Sequence, residues 1–100
     1  ETGWTASFVD GAGGKSVLPS MWPLLSAWVD ESIVVTLDEA AAAMKLAAQR
    51  AHVIAEGAAA CAIAAASRPE LRARHRRIVA VVSGGNIDLT TFCGLVTGTR

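Results

Sequence analysis

The feature that most constrains this chain is an apolar run, Ile78 to Val82, followed directly by Ser83-Gly84-Gly85-Asn86. Its Val and Ile content predicts a short strand buried on both faces. The two glycines allow a sharp turn and a close approach of backbone to a ligand, and a helix is predicted from Asp88 to Val96. In open α/β sheets, ligands bind beyond the carboxyl ends of strands. This pattern therefore indicates either a binding site at Ser83 or a plain strand–turn–helix connection.

A second strand and a regular helix are predicted earlier in the chain. Ser32 to Leu37 is centred on three β-branched residues and predicts a strand. Thr36 and Glu39 then have the spacing of a capping box, which starts a helix at about Leu37. The helix carries one apolar stripe at helical spacing: Ala40, Ala43, Met44, Ala47, Ala48 and Ala51. Strands alternating with such helices predict an α/β fold, in which Ala-rich helices pack on part of a parallel sheet.

The segment from Ala55 to Ser67 predicts a helix of a different kind. Beyond Glu56 and Gly57 it consists of Ala, Cys and Ile on every side, which is typical of a helix buried all round. Glu56 stands at its start and has two interpretations. Its carboxylate either faces the positive end of the helix dipole or forms a wall of the same pocket as Ser83.

The remaining segments predict irregular or short structure. Residues 1–16 are rich in Gly, Ser and Thr and predict a loop. Gly14-Lys15-Ser16 is not a phosphate-binding loop, because Val9 stands where that motif needs a glycine. Residues 17–30 predict two short helical pieces, since Pro23 would interrupt a longer helix. The basic run from Arg72 to Arg77 predicts a solvated linker.

Composition excludes several classes of partner. The 100 residues carry nine basic and nine acidic side chains, which argues against nucleic acid or an anionic membrane as the main partner. No apolar run is long enough to predict a transmembrane helix. Cys61 and Cys93 fit no metal-ligand spacing, and as two ordinary thiols they indicate a reducing cytoplasm. One residue in five is Ala, which together with the low charge favours the interior of a larger α/β protein.

Read together, four motifs resemble one family. They are Phe8-Val9-Asp10-Gly11, Met21-Trp22-Pro23-Leu24, Ala55-Glu56-Gly57-Ala58-Ala59-Ala60 and Val82-Ser83-Gly84-Gly85-Asn86-Ile87-Asp88. In this order they resemble the C-terminal part of the pyridoxal-phosphate-dependent serine/threonine dehydratases, of the fold type II class. The resemblance implies that residues 1–100 form the C-terminal portion of such a catalytic domain, within a larger fold type II enzyme. The activity it implies is β-elimination of water from a small hydroxy-amino acid, followed by release of ammonia.

The resemblance also implies roles for three residues in binding pyridoxal 5'-phosphate. The residue matching Ser83 hydrogen-bonds the pyridine nitrogen, Gly84 allows close approach to the ring edge, and Glu56 lies near the ring. A neutral hydroxyl tolerates an unprotonated ring nitrogen, whereas a carboxylate would hold it protonated; the cofactor's chemistry is tuned in this way. The hypothesis requires the Ser83 hydroxyl to face a cavity shared with Glu56. No catalytic residue and no metal ligand is predicted in this chain.

Several family features have no match here. The family's Schiff-base lysine lies in a Ser-Phe-Lys context, which is absent, and Lys15 and Lys45 stand in other contexts. The tetraglycine phosphate loop and the cation-binding carboxylates are absent too. The chain alone is therefore expected to be inactive. Its implied partners are a missing N-terminal portion, a small amino-acid substrate and copies of itself in a homo-oligomer. The alternatives are a non-catalytic interaction or regulatory module and a serine racemase-like enzyme.

Overall fold

The computed structural model describes residues 3–98, and its regular elements are helices. They are α1 (Trp22–Trp28), α2 (Leu37–Leu46), α3 (Gly57–Ala66), α4 (Pro69–Arg74) and α5 (Leu89–Thr97), with a π-helical turn, Ala47–Ala51, continuing α2. The helices predicted from about Leu37, from Ala55 and from Asp88 are confirmed within a few residues. Pro23 lies in the first turn of α1, where a missing N–H is tolerated, so residues 17–30 contain one helix rather than two pieces.

The predicted parallel sheet, and with it the α/β fold class, is wrong. No strand occurs among residues 3–98. A strand obtains its hydrogen bonds from a neighbouring strand, and no backbone hydrogen bond in this part of the chain joins residues 32–36 to residues 78–82. Neither segment therefore has a ladder of backbone hydrogen bonds. Val34 is 82% exposed. Val79 is 89% exposed, although the pattern predicted that the strand 78–82 is buried on both faces.

The hydrophobic core lies between α2, α3 and α5. α2 packs along α3, and α5 packs against α2. The core consists of small and medium side chains: Ala43, Met44, Ala60, Ala64, Phe92 and Leu95. Ala side chains allow the two helix backbones to approach closely, and Met44 fills the space between them with no exposed surface. The stripe predicted on α2 is confirmed from Ala40 to Ala47, whereas Ala51 is exposed.

The all-apolar helix α3 is less buried than predicted. Gly57, Ala59, Ala60 and Ala64 are buried, but Cys61, Ala62 and Ile63 are half-buried. Its apolar side chains therefore extend beyond the surface that the neighbouring helices cover.

The start of α2 is fixed by the predicted capping box. The Glu39 N–H donates to Thr36 Oγ1 at 3.1 Å, and Glu39 Oε2 accepts from the Thr36 N–H at 2.8 Å. Arg68 adds a two-pronged ion pair, with Nε 3.1 Å from Glu39 Oε1 and Nη2 2.9 Å from Oε2. Arg68 Nη2 also donates to the carbonyl of Val34. The hydrogen bond from Arg68, followed by the one from the Thr36 backbone, lowers the pKa of Glu39 to about 2.

The basic segment is helical as far as Arg74, where the pattern predicted a solvated linker. Pro69 opens α4, and Arg74 forms a two-pronged pair with Glu31 at 3.1 and 3.0 Å. This pair is exposed, so its contribution to stability is small. Within residues 3–98 no helix has the length and apolar character needed to cross a membrane.

Candidate functional site

Three segments cross at the start of α3: residues 8–11, residues 54–57 and residues 84–85. We call this crossing the glycine junction. The Glu56 N–H donates to the Gly84 carbonyl at 3.1 Å, which ties the segment before α3 to the turn that follows the apolar run 78–82. The structure therefore brings together two of the three predicted site residues, Glu56 and Gly84.

Two glycines of the junction are required by close contact between backbones. A Cβ on Gly57 would stand 2.6 Å from the Phe8 carbonyl oxygen, and one on Gly85 would stand 2.5 Å from the Ile54 carbonyl oxygen. Neither position leaves space for a side chain, because a backbone atom cannot move aside cheaply. The sequence predicted close approach of backbone to a ligand at residues 84–85. At Gly85 the group that approaches is the protein's own carbonyl.

The Glu56 carboxylate faces both the helix and the junction. Its Oε2 accepts a hydrogen bond from the Ala58 N–H at 3.0 Å, so the helix-dipole interpretation of Glu56 is confirmed. Its Oε1 points toward glycine backbone: a Cβ would lie 3.1 Å from it at Gly11 and 3.5 Å from it at Gly84. A single half-buried carboxylate thus caps α3 and also lines the crossing of the three segments.

The negative charge of Glu56 affects the neighbouring thiol of Cys61. Cys61 Sγ lies 3.4 Å from the Gly57 carbonyl oxygen, one turn into α3. Burial, and then the negative charge of Glu56, raise the pKa of the Cys61 thiol. Cys61 is therefore protonated at neutral pH and is a poor nucleophile.

A cavity of about 170 Å³ lies beside Glu56. Its lining is mainly polar: Phe8, Asp10, Glu56, Asn86, Ile87, Asp88 and Thr91. Asp88 Oδ2 accepts from the Thr91 N–H at 3.0 Å and from Thr91 Oγ1 at 3.2 Å, which confirms the predicted cap of α5. The sequence reasoning did not name Asn86 or Thr91 as site residues, although Asn86 directly follows the glycine pair.

Ser83 is placed differently from Glu56 and Gly84. Ser83 is exposed, whereas Glu56 and Gly84 are half-buried. Neither Ser83 nor Gly84 lines the 170 Å³ cavity. Ser83 thus lies next to Gly84 as an exposed residue, outside the lining of the cavity beside Glu56. The prediction that these three residues bind a cofactor stays a prediction.

Neither lysine belongs to the glycine junction. Lys15 Nζ lies 5.1 Å from the centre of the Trp4 ring, a cation–π contact. Lys45 is exposed on α2. In the described part of the chain, no group of three His, Cys, Asp or Glu residues is arranged to hold a metal ion. The junction therefore offers carboxylate and backbone groups, and no side-chain amine.

Comparisons with known proteins identify the family. Residues 1–84 match the model of the family described as pyridoxal-phosphate dependent enzyme. The chain is 36% identical over 94 residues to "L-threonine dehydratase catabolic TdcB" of Staphylococcus aureus strain USA300, and 34% identical to that of strain N315. Each match covers 91% of this chain but 27% of the relative. No solved structure matches. The chain belongs to the pyridoxal-phosphate dependent enzyme family.

Proposed function

We propose that this chain is part of a pyridoxal-phosphate-dependent ammonia-lyase that acts on a small hydroxy-amino acid such as threonine or serine. The identity to the threonine dehydratases of Staphylococcus aureus supports the reaction class. The observation that carries the proposal is the hydrogen bond between the Glu56 N–H and the Gly84 carbonyl. It joins two motifs, distant in sequence, that the resemblance assigns to one cofactor site.

The residues present suit the ring end of the cofactor. The Ser83 hydroxyl is exposed and can donate one hydrogen bond and accept others. A Cβ at Gly84 would contact the Glu56 side chain, so glycine at this position places no side chain against Glu56. When bound, pyridoxal phosphate supplies the electron sink for loss of the α-proton and elimination of water.

Each residue then has a separate task in the proposed site. Ser83 binds the pyridine nitrogen without imposing a charge on it. Gly84 lets the backbone lie against the ring edge. The Glu56 carboxylate, held by the Ala58 N–H, forms a fixed wall beside the ring. A neutral hydroxyl tolerates an unprotonated nitrogen, which suits elimination. A carboxylate there would instead hold the nitrogen protonated and deepen the electron sink.

We propose that a longer polypeptide covers the exposed apolar residues of this chain and supplies the lysine. The chain spans about a quarter of the length of the curated relatives it matches. Trp28, Val34 and Val79 are each more than four-fifths exposed, and many large apolar side chains left exposed are typical of a surface that a partner covers. Residues 1–100 would thus be the C-terminal portion of a catalytic domain that assembles into a homo-oligomer. Free thiols at Cys61 and Cys93 fit a cytoplasmic enzyme.

The direct test is a hybrid enzyme. In it, this chain replaces the 94 matched residues of the Staphylococcus aureus threonine dehydratase. We expect the hybrid to show the absorbance of bound pyridoxal phosphate and to form 2-oxo acid and ammonia from threonine or serine. A folded hybrid that binds no cofactor would overturn the proposal.

Substitution of Ser83 tests the role of the hydroxyl. In the hybrid, Ser83→Asp should lower kcat by at least about tenfold, equivalent to about 1.4 kcal/mol in the barrier, and should shift the cofactor absorbance. Ser83→Thr keeps a hydroxyl and is the matched control. Equal turnover of the Asp and Thr variants would remove the pyridine-nitrogen role.

The second candidate is a non-catalytic interaction or regulatory module. It is favoured by the placement of Lys15 on Trp4 and of Lys45 on the exposed side of α2, since neither amine reaches the junction. The hybrid enzyme distinguishes the two candidate functions. A non-catalytic module would fold onto the rest of the relative and leave the hybrid without lyase activity. A chiral assay for D-serine in the same reaction distinguishes a racemase-like enzyme.

A further inference from the structure

We propose that His52 is a positioning residue for the glycine junction. Its left-handed backbone conformation sets the register at which residues 54–56 cross residues 84–85, and so the place at which Glu56 and Ser83 are presented. The assignment of Glu56 and Ser83 to a cofactor site rests on the proposed function. The register itself is a property of this chain and can be measured without cofactor.

The observation begins at the end of the α2 helix. His52 has φ 56° and ψ 38°, and among residues 3–98 it is the one non-glycine residue with a positive φ. The Val53 N–H donates to the Ala47 carbonyl at 3.2 Å. A left-handed residue followed by a hydrogen bond of this span ends a helix and redirects the chain. Glycine is the usual residue at such a position, because it has no Cβ to clash.

The redirected segment contacts the glycine turn at two points, Ile54 and Glu56, within three residues. The Ile54 carbonyl oxygen lies so close to Gly85 that a Cβ there would stand 2.5 Å away. Two residues later the Glu56 N–H donates to the Gly84 carbonyl. Ala55, between them, has no exposed surface. The segment therefore cannot slip by one residue without breaking the hydrogen bond, and a slip toward Asn86 would also drive a side chain into the Ile54 carbonyl.

His52 is the point at which this register is set, because the preceding residues are fixed to the core. Met44 and Ala47 are buried against neighbouring helices, so the helix cannot shift to compensate for a changed turn. A β-branched residue resists positive φ. Valine at position 52 would favour φ below zero, which would send residues 53–56 in another direction.

The chain contains a matched control for the conformational cost alone. Gly98 ends α5 with φ 76°, and nothing lies within 4 Å of the place where its Cβ would stand. Gly98→Val imposes a β-branched residue on a left-handed position, as His52→Val does, but outside the glycine junction. A general loss of stability should appear in both variants, whereas a loss of register should appear in one.

The first experiment measures hydrogen exchange in the free chain. The exchange rate of the Glu56 amide is divided by that of the Phe92 amide, which donates to Asp88 within the cap of α5. We expect this ratio to rise about five- to thirtyfold in His52→Val, the range set by a left-handed penalty of this type. His52→Gly and His52→Asn should keep the ratio of the unaltered chain, and His52→Ala, a milder variant, should fall between. Equal ratios in His52→Val and Gly98→Val would overturn the proposal.

The second experiment measures pyridoxal phosphate affinity in the hybrid enzyme by titration of the cofactor absorbance. His52→Val should weaken cofactor binding and move its absorbance maximum, and His52→Gly should restore both. If the unaltered hybrid binds no cofactor while the exchange ratios follow the expected order, the proposed function fails and the positioning role stands. If the hybrid binds cofactor equally well in all variants, the positioning role fails alone.

Discussion

Two regions of the molecule are equally apolar but differ in burial. One is the helix pair α2–α3, and the other consists of the apolar segments 33–35 and 78–82. In the helix pair, Met44 and Ala60 have no exposed surface. In the segments, Val34 and Val79 are more than four-fifths exposed. An apolar pattern therefore predicts burial only where the molecule also provides a partner surface.

The difference follows from where each element finds its backbone hydrogen bonds. A helix satisfies most of its N–H and C=O groups within itself, so α2 and α3 need each other for side-chain burial rather than for backbone hydrogen bonds. An extended segment depends on a neighbour for every backbone bond. Residues 3–98 supply no such neighbour to the apolar segments.

The test with the largest expected effect truncates one side chain in each region. Met44→Ala should reduce the free energy of unfolding by about 2–5 kcal/mol, because a fully buried side chain leaves a cavity. Val79→Ala should change it by no more than about 0.5 kcal/mol, the range for exposed sites. Urea denaturation followed by circular dichroism measures both. A loss of similar size in the two variants would show that the 78–82 segment is packed in solution.

A smaller effect is expected inside a single segment. Val35 packs against the core, whereas its neighbour Val34 is exposed. Val35→Lys should destabilise the chain by about 1–3 kcal/mol, since a charge placed against apolar side chains loses its hydration. Val34→Lys should leave the free energy of unfolding nearly unchanged and should reduce self-association in sedimentation, because it interrupts exposed apolar surface. The comparison would be refuted if the two lysine variants unfolded at the same urea concentration.

The smallest effect concerns the ion pair that joins the two regions. Arg68 binds Glu39 on α2 and also the Val34 carbonyl. The pKa of Glu39 is lowered to about 2, so its contribution to stability is present above its unfolded pKa and is lost as the pH falls toward 2. Arg68→Gln should raise the pKa of Glu39 and flatten this acid-dependent loss.

Urea midpoints at about pH 5 and about pH 3 measure the slope on either side of the unfolded pKa of Glu39. Arg72→Gln is the matched control, because Arg72 forms no ion pair with residues 3–98. If Arg68→Gln and Arg72→Gln lost the same stability on acidification, Glu39 would not be the group responsible.

Glu56 shows how far the sequence reached into the candidate site. The position of a carboxylate at the start of an apolar helix left two interpretations open, a dipole partner or a pocket wall. The structure confirms the first through the Ala58 N–H, and it also places Oε1 against Gly11 and Gly84. Residues 8–11 lie far away in sequence, so no local pattern could announce that contact. Ser83 lies outside the cavity beside Glu56, and its cofactor role remains for the hybrid enzyme to test.

The sequence by itself determined α2, α3 and α5, their N-terminal caps and the family. Capping residues such as Thr36 and Asp88 act on backbone groups within one turn. The family motifs depend only on the order of the residues, so they can be recognised without the tertiary structure. Only the tertiary structure decided which apolar residues are covered, that residues 54–57 cross 84–85 beside residues 8–11, and that His52 adopts a left-handed turn. These outcomes depend on contacts between distant segments. The free energy of such contacts cannot be deduced from any local stretch of sequence.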